Sequence, residues 1–416
     1  MIFISSPRGT IVGEKRVKNI NINKPSFFTG FFMVSARVSK IEPSKTVAID
    51  TLAKQLKKEG KDIVNLSAGE PDFPTPDNVK EAAIKAIREN FTKYTAPSGI
   101  IELKEAIVNK FKKENNVGYS TENVIVSCGG KHSFYNIVMS LLQKGDEAII
   151  PKPYWVSYSD MVKLSDAAPI LCSTDENFRI EADLIKEKIT KNTKLIVINS
   201  PNNPSGSVIE EKELRKIADI AVEKNIHVLS DEVYEHFIYS GKKHVSIASF
   251  NEDIKKMTIT LNSLSKTYSM TGWRIGYCAA EKDLAKAVEK MQSQSTGNPT
   301  SIAQKAALEA LNGPQDFLKE RISEFEKRRS LMVKMLNGAG LKCDLPEGAF
   351  YCFPGIESTK LNSEQFCQKL LKEHLVAAVP GIAFGTEGHV RFSYAASMPD
   401  IKKGMERVKK LIESLS

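Results

Sequence analysis

Residues 262–277 read N-S-L-S-K-T-Y-S-M-T-G-W-R-I-G-Y, and this stretch decides how the 416-residue chain is interpreted. It continues an apolar, strand-like run, so Lys266 is predicted to lie where a strand ends and a loop begins. An amine at such a position can condense with an aldehyde. Arg274 offers the planar fork of donors that suits a phosphate, and Ser263 and Ser265 add hydroxyl donors. The stretch therefore predicts a lysine that carries a phosphorylated cofactor.

Three further strand-like runs end in polar clusters. The clusters are 127–131 (S-C-G-G-K), 199–206 (N-S-P-N-N-P-S-G) and 230–231 (S-D). From about residue 80 to 311, such runs alternate with amphipathic helix-like segments, which is typical of a mostly parallel sheet covered by helices. Because the carboxyl ends of parallel strands face one edge of the sheet, we expect all four clusters to line one cleft.

The expected fold class is α/β with two domains. A large domain over residues 77–312 would hold the mostly parallel sheet flanked by helices, and residues 35–76 with 313–416 would form a smaller α+β domain. The boundary is placed where a helix-like segment stops at Asn312-Gly313-Pro314. Beyond it we predict a charged helix over 317–336, short strands near 350–353 and 390–392, and a terminal helix from 400.

Residues 1–34 are interpreted as an N-terminal extension outside both domains. They lack helical or strand periodicity and are basic and nearly free of acid. Such a segment is typical of a disordered extension, of a start assigned too early with Met33 as the true first residue, or of an organelle-targeting peptide. A targeting peptide would place the protein in an organelle matrix.

Composition argues against several classes of partner. Of the nine net positive charges, six come from residues 1–40, so the rest of the chain lacks the basic stripe of a nucleic-acid-binding protein. No apolar stretch is long enough to cross a bilayer. The six cysteines have no C-x-x-C pair and no metal-like spacing with the six histidines, which favours reduced thiols. We expect a cytoplasmic protein with no metal, membrane or nucleic-acid partner.

Three other positions are candidates for the same cleft, and each could also have a purely structural role. Asp231 ends a buried-looking strand, where a carboxylate needs a cationic partner, although it could instead cap a helix. Gly129-Gly130-Lys131 joins a strand to a helix whose first amides could bind phosphate, although such a turn is usually only a turn. Trp155 offers an aromatic face for stacking, or is a core tryptophan.

Arg391 is a candidate for binding a substrate. It lies in the strand-like segment H-V-R-F-S-Y, where alternation places it on the face opposite Val390 and Phe392. A carboxylate would fit its bidentate fork, and closing the smaller domain over that contact would exclude water. Arg391 could instead form a structural salt bridge.

Collectively, the chain from about Ser35 to its C-terminus resembles the class I aminotransferases, specifically the bacterial-type aspartate aminotransferases. The matching motifs are Gly69-Glu70-Pro71-Asp72-Phe73, Lys93-Tyr94-Thr95, Gly129-Gly130-Lys131, Pro153-Tyr154-Trp155, Asn202-Asn203-Pro204-Ser205-Gly206, Asp231-Glu232-Val233-Tyr234, the Lys266 segment and Gly348-Ala349-Phe350-Tyr351. The resemblance implies a fold-type I enzyme that uses pyridoxal 5'-phosphate. It also implies reversible transfer of the amino group of L-aspartate to 2-oxoglutarate, giving oxaloacetate and L-glutamate.

The resemblance also implies a role for each site residue. Lys266 would carry the cofactor and move protons, Asp231 would pair with the ring nitrogen, and Tyr234 would reach the ring hydroxyl. The cofactor-binding set would be Gly129, Gly130, Lys131, Trp155, Asn203, Asp231, Tyr234, Ser263, Ser265, Lys266, Arg274 and Tyr94, the last from the neighbouring subunit of a homodimer with shared sites. The substrate-binding set would be Gly69 through its backbone, Trp155, Asn203 and Arg391.

Substrate preference is left open by the sequence. Animal-type relatives grip the distal carboxylate with a second arginine, but no arginine occurs between Arg274 and Arg321, so Lys131, Thr46 and Ser295 are the candidates. An aromatic acid or prephenate could also be the acceptor. The sequence is also compatible with a fold-related lyase acting on a sulfur-containing amino acid. A non-catalytic regulator is a further hypothesis, but 34 leading residues are too few to form a DNA-binding domain.

Overall fold

The structure is a computed structural model that describes residues 34–43 and 45–415. The predicted extension over residues 1–34, with the alternative start at Met33, lies outside the described residues except for Val34. The helices are α1 (Lys45–Lys58), α2 (Asp77–Arg88), α3 (Ile101–Glu114), α4 (Gly130–Leu141), α5 (Ser157–Leu164), α6 (Ala182–Lys186), α7 (Glu211–Lys224), α8 (Glu252–Met257), α9 (Leu264–Thr267), α10 (Lys282–Ser295), α11 (Ser301–Asn312), α12 (Asp316–Gly338), α13 (Ser363–His374) and α14 (Met398–Leu415). The strands are β1 (Val64–Asn65), β2 (Val124–Ser127), β3 (Glu147–Pro151), β4 (Ala168–Cys172), β5 (Thr193–Asn199), β6 (His227–Asp231), β7 (Thr258–Ser263), β8 (Gly276–Ala279), β9 (Tyr351–Cys352), β10 (Val376–Ala377), β11 (Val379–Pro380) and β12 (Val390–Ser393).

A seven-stranded sheet in the order β2-β8-β7-β6-β5-β3-β4 forms the centre of the molecule. Only β8 runs antiparallel to its neighbours. Helices cover both faces, as alternation along β5 illustrates: Leu195 and Val197 pack in one apolar cluster, whereas Ile196 and Ile198 pack in another. The predicted α/β fold with a mostly parallel sheet is confirmed.

The carboxyl ends of β2, β5, β6 and β7 lie at the same edge of this sheet, as predicted. One local prediction was wrong, because Lys266 lies in the short helix α9 and not in a loop. Ser263 explains the turn: its Oγ accepts a hydrogen bond from the backbone N–H of Ser265 at 3.0 Å and caps the helix. The cap therefore fixes the turn that follows β7, and the Lys266 side chain projects from this turn.

A second region joins the start of the described chain to its end. Strand β1 pairs in parallel with β10, and β11-β12-β9 form an antiparallel sheet. Val64 and Leu66 share an apolar cluster with side chains of α12 and α14, and this cluster also contains Tyr234 and Phe237 from the middle of the chain. The division into residues 77–312 and residues 35–76 with 313–416 stays a prediction.

No helix among the described residues combines the length and the apolar character needed to span a bilayer.

Candidate active site

A cavity of about 380 Å³ opens at the edge of the large sheet where β5, β6 and β7 end. The predicted site residues that line it are Gly69, Gly130, Lys131, Trp155, Asn203, Asp231, Tyr234, Ser263, Ser265, Lys266, Arg274 and Arg391. Helix α1, Tyr351 at the start of β9, Tyr158 and Glu70 also contribute to the wall. The structure thus brings together nearly all of the residues that the sequence singled out.

The amine of Lys266 projects into this cavity and donates a hydrogen bond to the carbonyl oxygen of Gly69 at 2.5 Å. No carboxylate of the described residues lies within 4.0 Å of it. Burial lowers the pKa of Lys266 to about 8, and the positive charges of Arg391 and Arg274 act in the same direction. A substantial fraction of the amine is therefore neutral near pH 8, which is the form that attacks an aldehyde or accepts a proton.

Asp231 is a buried carboxylate at the end of β6. Its Oδ2 accepts a hydrogen bond from the Tyr158 hydroxyl at 2.5 Å, and its Oδ1 accepts one from the N–H of Val233 at 3.2 Å. Burial raises the pKa of Asp231 to about 6. A turn follows it, which does not support the helix-cap interpretation. Within the described residues no cation pairs with it, so the carboxylate is placed to receive one from a bound group.

One end of the cavity presents a set of hydrogen-bond donors. Arg274 donates from Nη1 to the carbonyl oxygen of Thr271 at 2.7 Å and packs against Gly129, where an added Cβ would lie 2.3 Å from Nη2. Gly129 has a φ of 88°, which favours glycine, and precedes α4 without a side-chain cap. Arg274 pairs with no carboxylate of the described residues, so its charge and the first amides of α4 fit a phosphate.

Arg391 also lines the cavity and is 3% exposed. Its Nη1 donates to Oδ1 of Asn203 at 2.8 Å and its Nη2 to the carbonyl oxygen of Ser67 at 2.7 Å, while its buried Nε has no partner. The guanidinium stacks on the rings of Tyr351 and Phe384, at 4.4 and 5.0 Å from their centroids. A structural salt bridge of Arg391 is not observed among the described residues, and a buried, unpaired cation calls for an anionic ligand.

The cavity lining also includes aromatic side chains and a lysine. The Lys131 amine lies 5.0 Å from the Trp155 ring centroid, and partial desolvation lowers its pKa, as does Arg274. The hydroxyl of Tyr234 hydrogen-bonds that of Tyr351 at 2.8 Å, deep in the cavity wall.

Two functional positions escaped the sequence analysis. Tyr158 holds Asp231, and Tyr351 contacts both Tyr234 and Arg391. Both lie in stretches that were already conspicuous, since Tyr158 follows Trp155 by three residues and Tyr351 ends the motif that begins at Gly348. A tyrosine in a strand or helix is, however, usually a core residue, so the sequence carried no distinct signal for either position.

Three of the predicted residues do not line the cavity, namely Gly129, which contacts Arg274, and also Tyr94 and Ser295. Tyr94 is 97% exposed and does not line the cavity of its own chain. Ser295 lies outside the lining and has its Oγ 3.2 Å from Nε2 of His132, whereas Thr46 lines the cavity.

The chain is similar to a family model and to named proteins over most of its length. The family model of aminotransferase class I and II matches residues 61–408. A probable aspartate/prephenate aminotransferase of Rickettsia conorii is 48% identical over 92% of this chain and 98% of that protein. An aspartate aminotransferase of Bacillus subtilis is 43% identical over 92% of this chain and 100% of that protein.

Among solved structures, aspartate aminotransferase from Thermus thermophilus with maleate is 40% identical, with a TM-score of 0.89 over 91% of this chain and all of that one. The fold-type I architecture and the enzyme class that the sequence predicted are therefore confirmed. This chain belongs to the class I and II aminotransferases.

Proposed function

We propose that this enzyme is an aspartate aminotransferase that uses pyridoxal 5'-phosphate and exchanges amino groups between L-aspartate and 2-oxoglutarate. One observation carries the proposal: Arg274 and Arg391 line the same cavity as the Lys266 amine, contact different neighbours, and pair with no carboxylate of the described residues. Two anions are therefore expected, one at each arginine. A cofactor phosphate and a substrate carboxylate meet that expectation.

The residues present fit this cofactor. The Arg274 guanidinium can take its place only because Gly129 has no Cβ, and the donors there suit a phosphate. Asp231 would pair with the ring nitrogen, Trp155 would stack on the ring, and Tyr234 and Asn203 would face the ring hydroxyl. When bound, the cofactor supplies an aldehyde and a ring that accepts electrons.

The side chains of this chain then divide the remaining work. Arg391 binds and orients the α-carboxylate of the amino acid, with Tyr351 and Phe384 excluding water from its guanidinium. Lys266, whose pKa burial lowers to about 8, would accept a proton at Nζ and move it between the substrate carbon and the cofactor carbon. Tyr158 holds the Asp231 carboxylate in place through its 2.5 Å hydrogen bond.

The residues that line the cavity near Lys131 and Thr46 support a dicarboxylic substrate. Lys131 and Thr46 line it and could receive a distal carboxylate, and the Thermus thermophilus relative was determined with maleate, a four-carbon dicarboxylate. The Rickettsia conorii relative is described as acting on aspartate and prephenate, which favours prephenate as the second candidate acceptor. Both acceptors carry two carboxylates, so one site can serve both.

We also infer that the protein is a homodimer with shared active sites and that it lies in the cytoplasm. Tyr94 is 97% exposed in the single chain, an unusual exposure for a large aromatic side chain, and a second subunit would give it a cofactor phosphate to contact.

The six cysteines are free thiols, which suits a reducing compartment. In this proposal, residues 77–312 form the large cofactor domain and residues 35–76 with 313–416 the smaller one.

A kinetic panel tests the proposed function. The purified protein loaded with pyridoxal 5'-phosphate should show ping-pong exchange between aspartate and 2-oxoglutarate, and prephenate, aromatic acceptors and glutamate should be compared at equal concentration. Release of pyruvate or ammonia without an oxo acid would instead indicate a lyase. The proposal is refuted if the protein binds no cofactor, or if it exchanges no amino group with either aspartate or glutamate.

A further inference from the structure

Helix α1 forms one wall of the cavity and is anchored by a narrow apolar face. Thr46, Val47, Asp50 and Lys54 all line the cavity. Among the described residues of α1, only Ala53 is buried, and Ile49 and Leu56 pack, partly buried, against neighbouring apolar clusters. Apolar burial is the main source of helix anchoring, so with so narrow an apolar face the polar contacts of this helix also contribute to its position.

The polar contacts of α1 lead to the loop that follows Lys266. Lys54 donates to Asp50 at 2.7 Å and lies 3.8 Å from Oε1 of Glu70. The other oxygen of Glu70 accepts a hydrogen bond from the Thr271 hydroxyl at 2.7 Å. Thr271 in turn accepts at its carbonyl oxygen from Nη1 of Arg274 at 2.7 Å, so Glu70 stands between α1 and the proposed phosphate end of the cavity.

A second branch leads from α1 to Arg391. Asp50 also accepts a hydrogen bond from Nδ2 of Asn65 at 2.7 Å, and Oδ1 of Asn65 accepts from the N–H and hydroxyl of Ser67 at 3.0 and 2.7 Å. The carbonyl oxygen of Ser67 accepts from Nη2 of Arg391. The polar contacts of α1 therefore reach both arginines of the site.

We propose that Glu70, with Lys54 and Thr271, is a positioning device that holds α1 against the cavity and so sets the affinity for the amino acid. The inference rests on the proposed function, because it assigns the wall formed by α1 to the substrate. None of the three residues needs to touch the reacting atoms. Weakening the tether should loosen the substrate side of the cavity and leave the cofactor side, which Arg274 and Gly129 form, intact.

The test uses the full-length holoenzyme and conservative variants. Thr271→Val removes the hydroxyl and keeps the shape, whereas Thr271→Ser restores a hydroxyl. Lys54→Met removes the ammonium and keeps the length, and Lys57→Met is the matched control, because Lys57 is exposed on the same helix and does not line the cavity. Each variant is assayed for kcat and KM with aspartate, for the dissociation constant of maleate, and for that of pyridoxal 5'-phosphate.

We expect Thr271→Val to raise the KM for aspartate and the dissociation constant of maleate about three- to tenfold, the size of one modest hydrogen bond. Lys54→Met should raise both about two- to fivefold, because its contact with Glu70 is exposed to solvent. Values of kcat and of cofactor affinity should stay within about twofold of wild type, since one hydrogen bond outside the reacting atoms is changed. Thr271→Ser and Lys57→Met should match wild type. The double variant Lys54→Met with Thr271→Val should show less than the product of the single effects, because both cut one tether.

Maleate affinities of Thr271→Val and Lys54→Met equal to that of Lys57→Met would overturn the inference. So would equal effects of Thr271→Val and Thr271→Ser, or a loss of kcat at unchanged KM. These results are distinguishable from failure of the proposed function, which would already appear in the wild-type protein as absent cofactor binding or absent exchange with aspartate.

Discussion

Replacement of Arg391 by alanine is the most informative perturbation of the proposed substrate site. The side chain spends two of its N–H groups on Asn203 and Ser67, which leaves three of the five guanidinium N–H groups for a ligand. Two charge-assisted hydrogen bonds to a carboxylate, each contributing about 1.5–3 kcal/mol, are then lost together. The expected penalty of about 3–6 kcal/mol corresponds to a decrease of roughly 10²- to 10⁴-fold in kcat/KM for aspartate.

The same change has a separate effect on stability. Without the guanidinium, Oδ1 of Asn203 and the carbonyl oxygen of Ser67 lose a donor inside the protein. Each buried, unpaired acceptor costs about 1–3 kcal/mol unless water reaches it, so the variant should unfold at a lower temperature. The kinetic assay must therefore be run well below that temperature, with the cofactor content of each sample measured first.

Single-turnover reaction of the holoenzyme with aspartate, followed by cofactor absorbance, gives the required kcat/KM. Arg391→Lys should fall between wild type and Arg391→Ala, because it keeps the charge and loses the planar fork. Arg215→Ala is a suitable control, since Arg215 is exposed on α7 and pairs with Glu211. A folded, cofactor-loaded Arg391→Ala protein with kcat/KM within about fivefold of wild type would refute the assignment of the α-carboxylate to this residue.

Three further perturbations test separate parts of the structure. Lys266→Ala should abolish turnover and borohydride-trapped attachment of the cofactor while circular dichroism stays that of the wild type; retained turnover would remove the role assigned to this amine. Glu235→Gln should lower the free energy of unfolding by about 3–5 kcal/mol at neutral pH, as measured by denaturant titration, because it leaves Lys110 without its buried partner. Burial alone would raise the pKa of Glu235, but Lys110 holds this pKa at about 2. The stabilisation is therefore complete above the unfolded pKa of about 4.3 and is lost as the pH falls toward 2. A variant whose stability has the same pH dependence as that of wild type would contradict the pairing. Tyr94→Phe should weaken cofactor binding about three- to tenfold in a dimer that still forms, measured by cofactor titration and gel filtration, and unchanged binding would exclude contact between subunits through this hydroxyl.

Much of the fold and site was predictable because both are encoded locally. Apolar runs that end in small polar residues mark the carboxyl edge of a parallel sheet, and β5, β6 and β7 end where those runs end. Arg391 was found because a lone arginine within an apolar strand needs an anion. Asp231 was found by the equivalent argument for a buried carboxylate.

The parts that were not predicted depend on contacts between distant segments. The hydrogen bond from Tyr158 to Asp231 joins residues 73 positions apart, and the one between Tyr234 and Tyr351 joins residues 117 positions apart. No periodicity of one segment contains such a pairing. The cap that turns the chain at Lys266 into α9 depends on the competition between a serine hydroxyl and the backbone, which sequence pattern alone resolves poorly. The polar contacts of α1 were not predicted either, because they also join segments that are separated in the sequence.

The reversed direction of β8 has a consequence for how this enzyme can change over evolutionary time. Because β7 and β8 form a hairpin, Lys266 and Arg274 lie on one short connection and are fixed relative to each other by neighbouring main-chain pairing. The α1 wall, by contrast, comes from a distant part of the chain, and no strand pairing among the described residues joins this helix to the hairpin. Substitutions in this wall can therefore change which acid is accepted while Lys266 and Arg274 keep their relative positions, so new substrate preferences can arise without a change in how the cofactor is held.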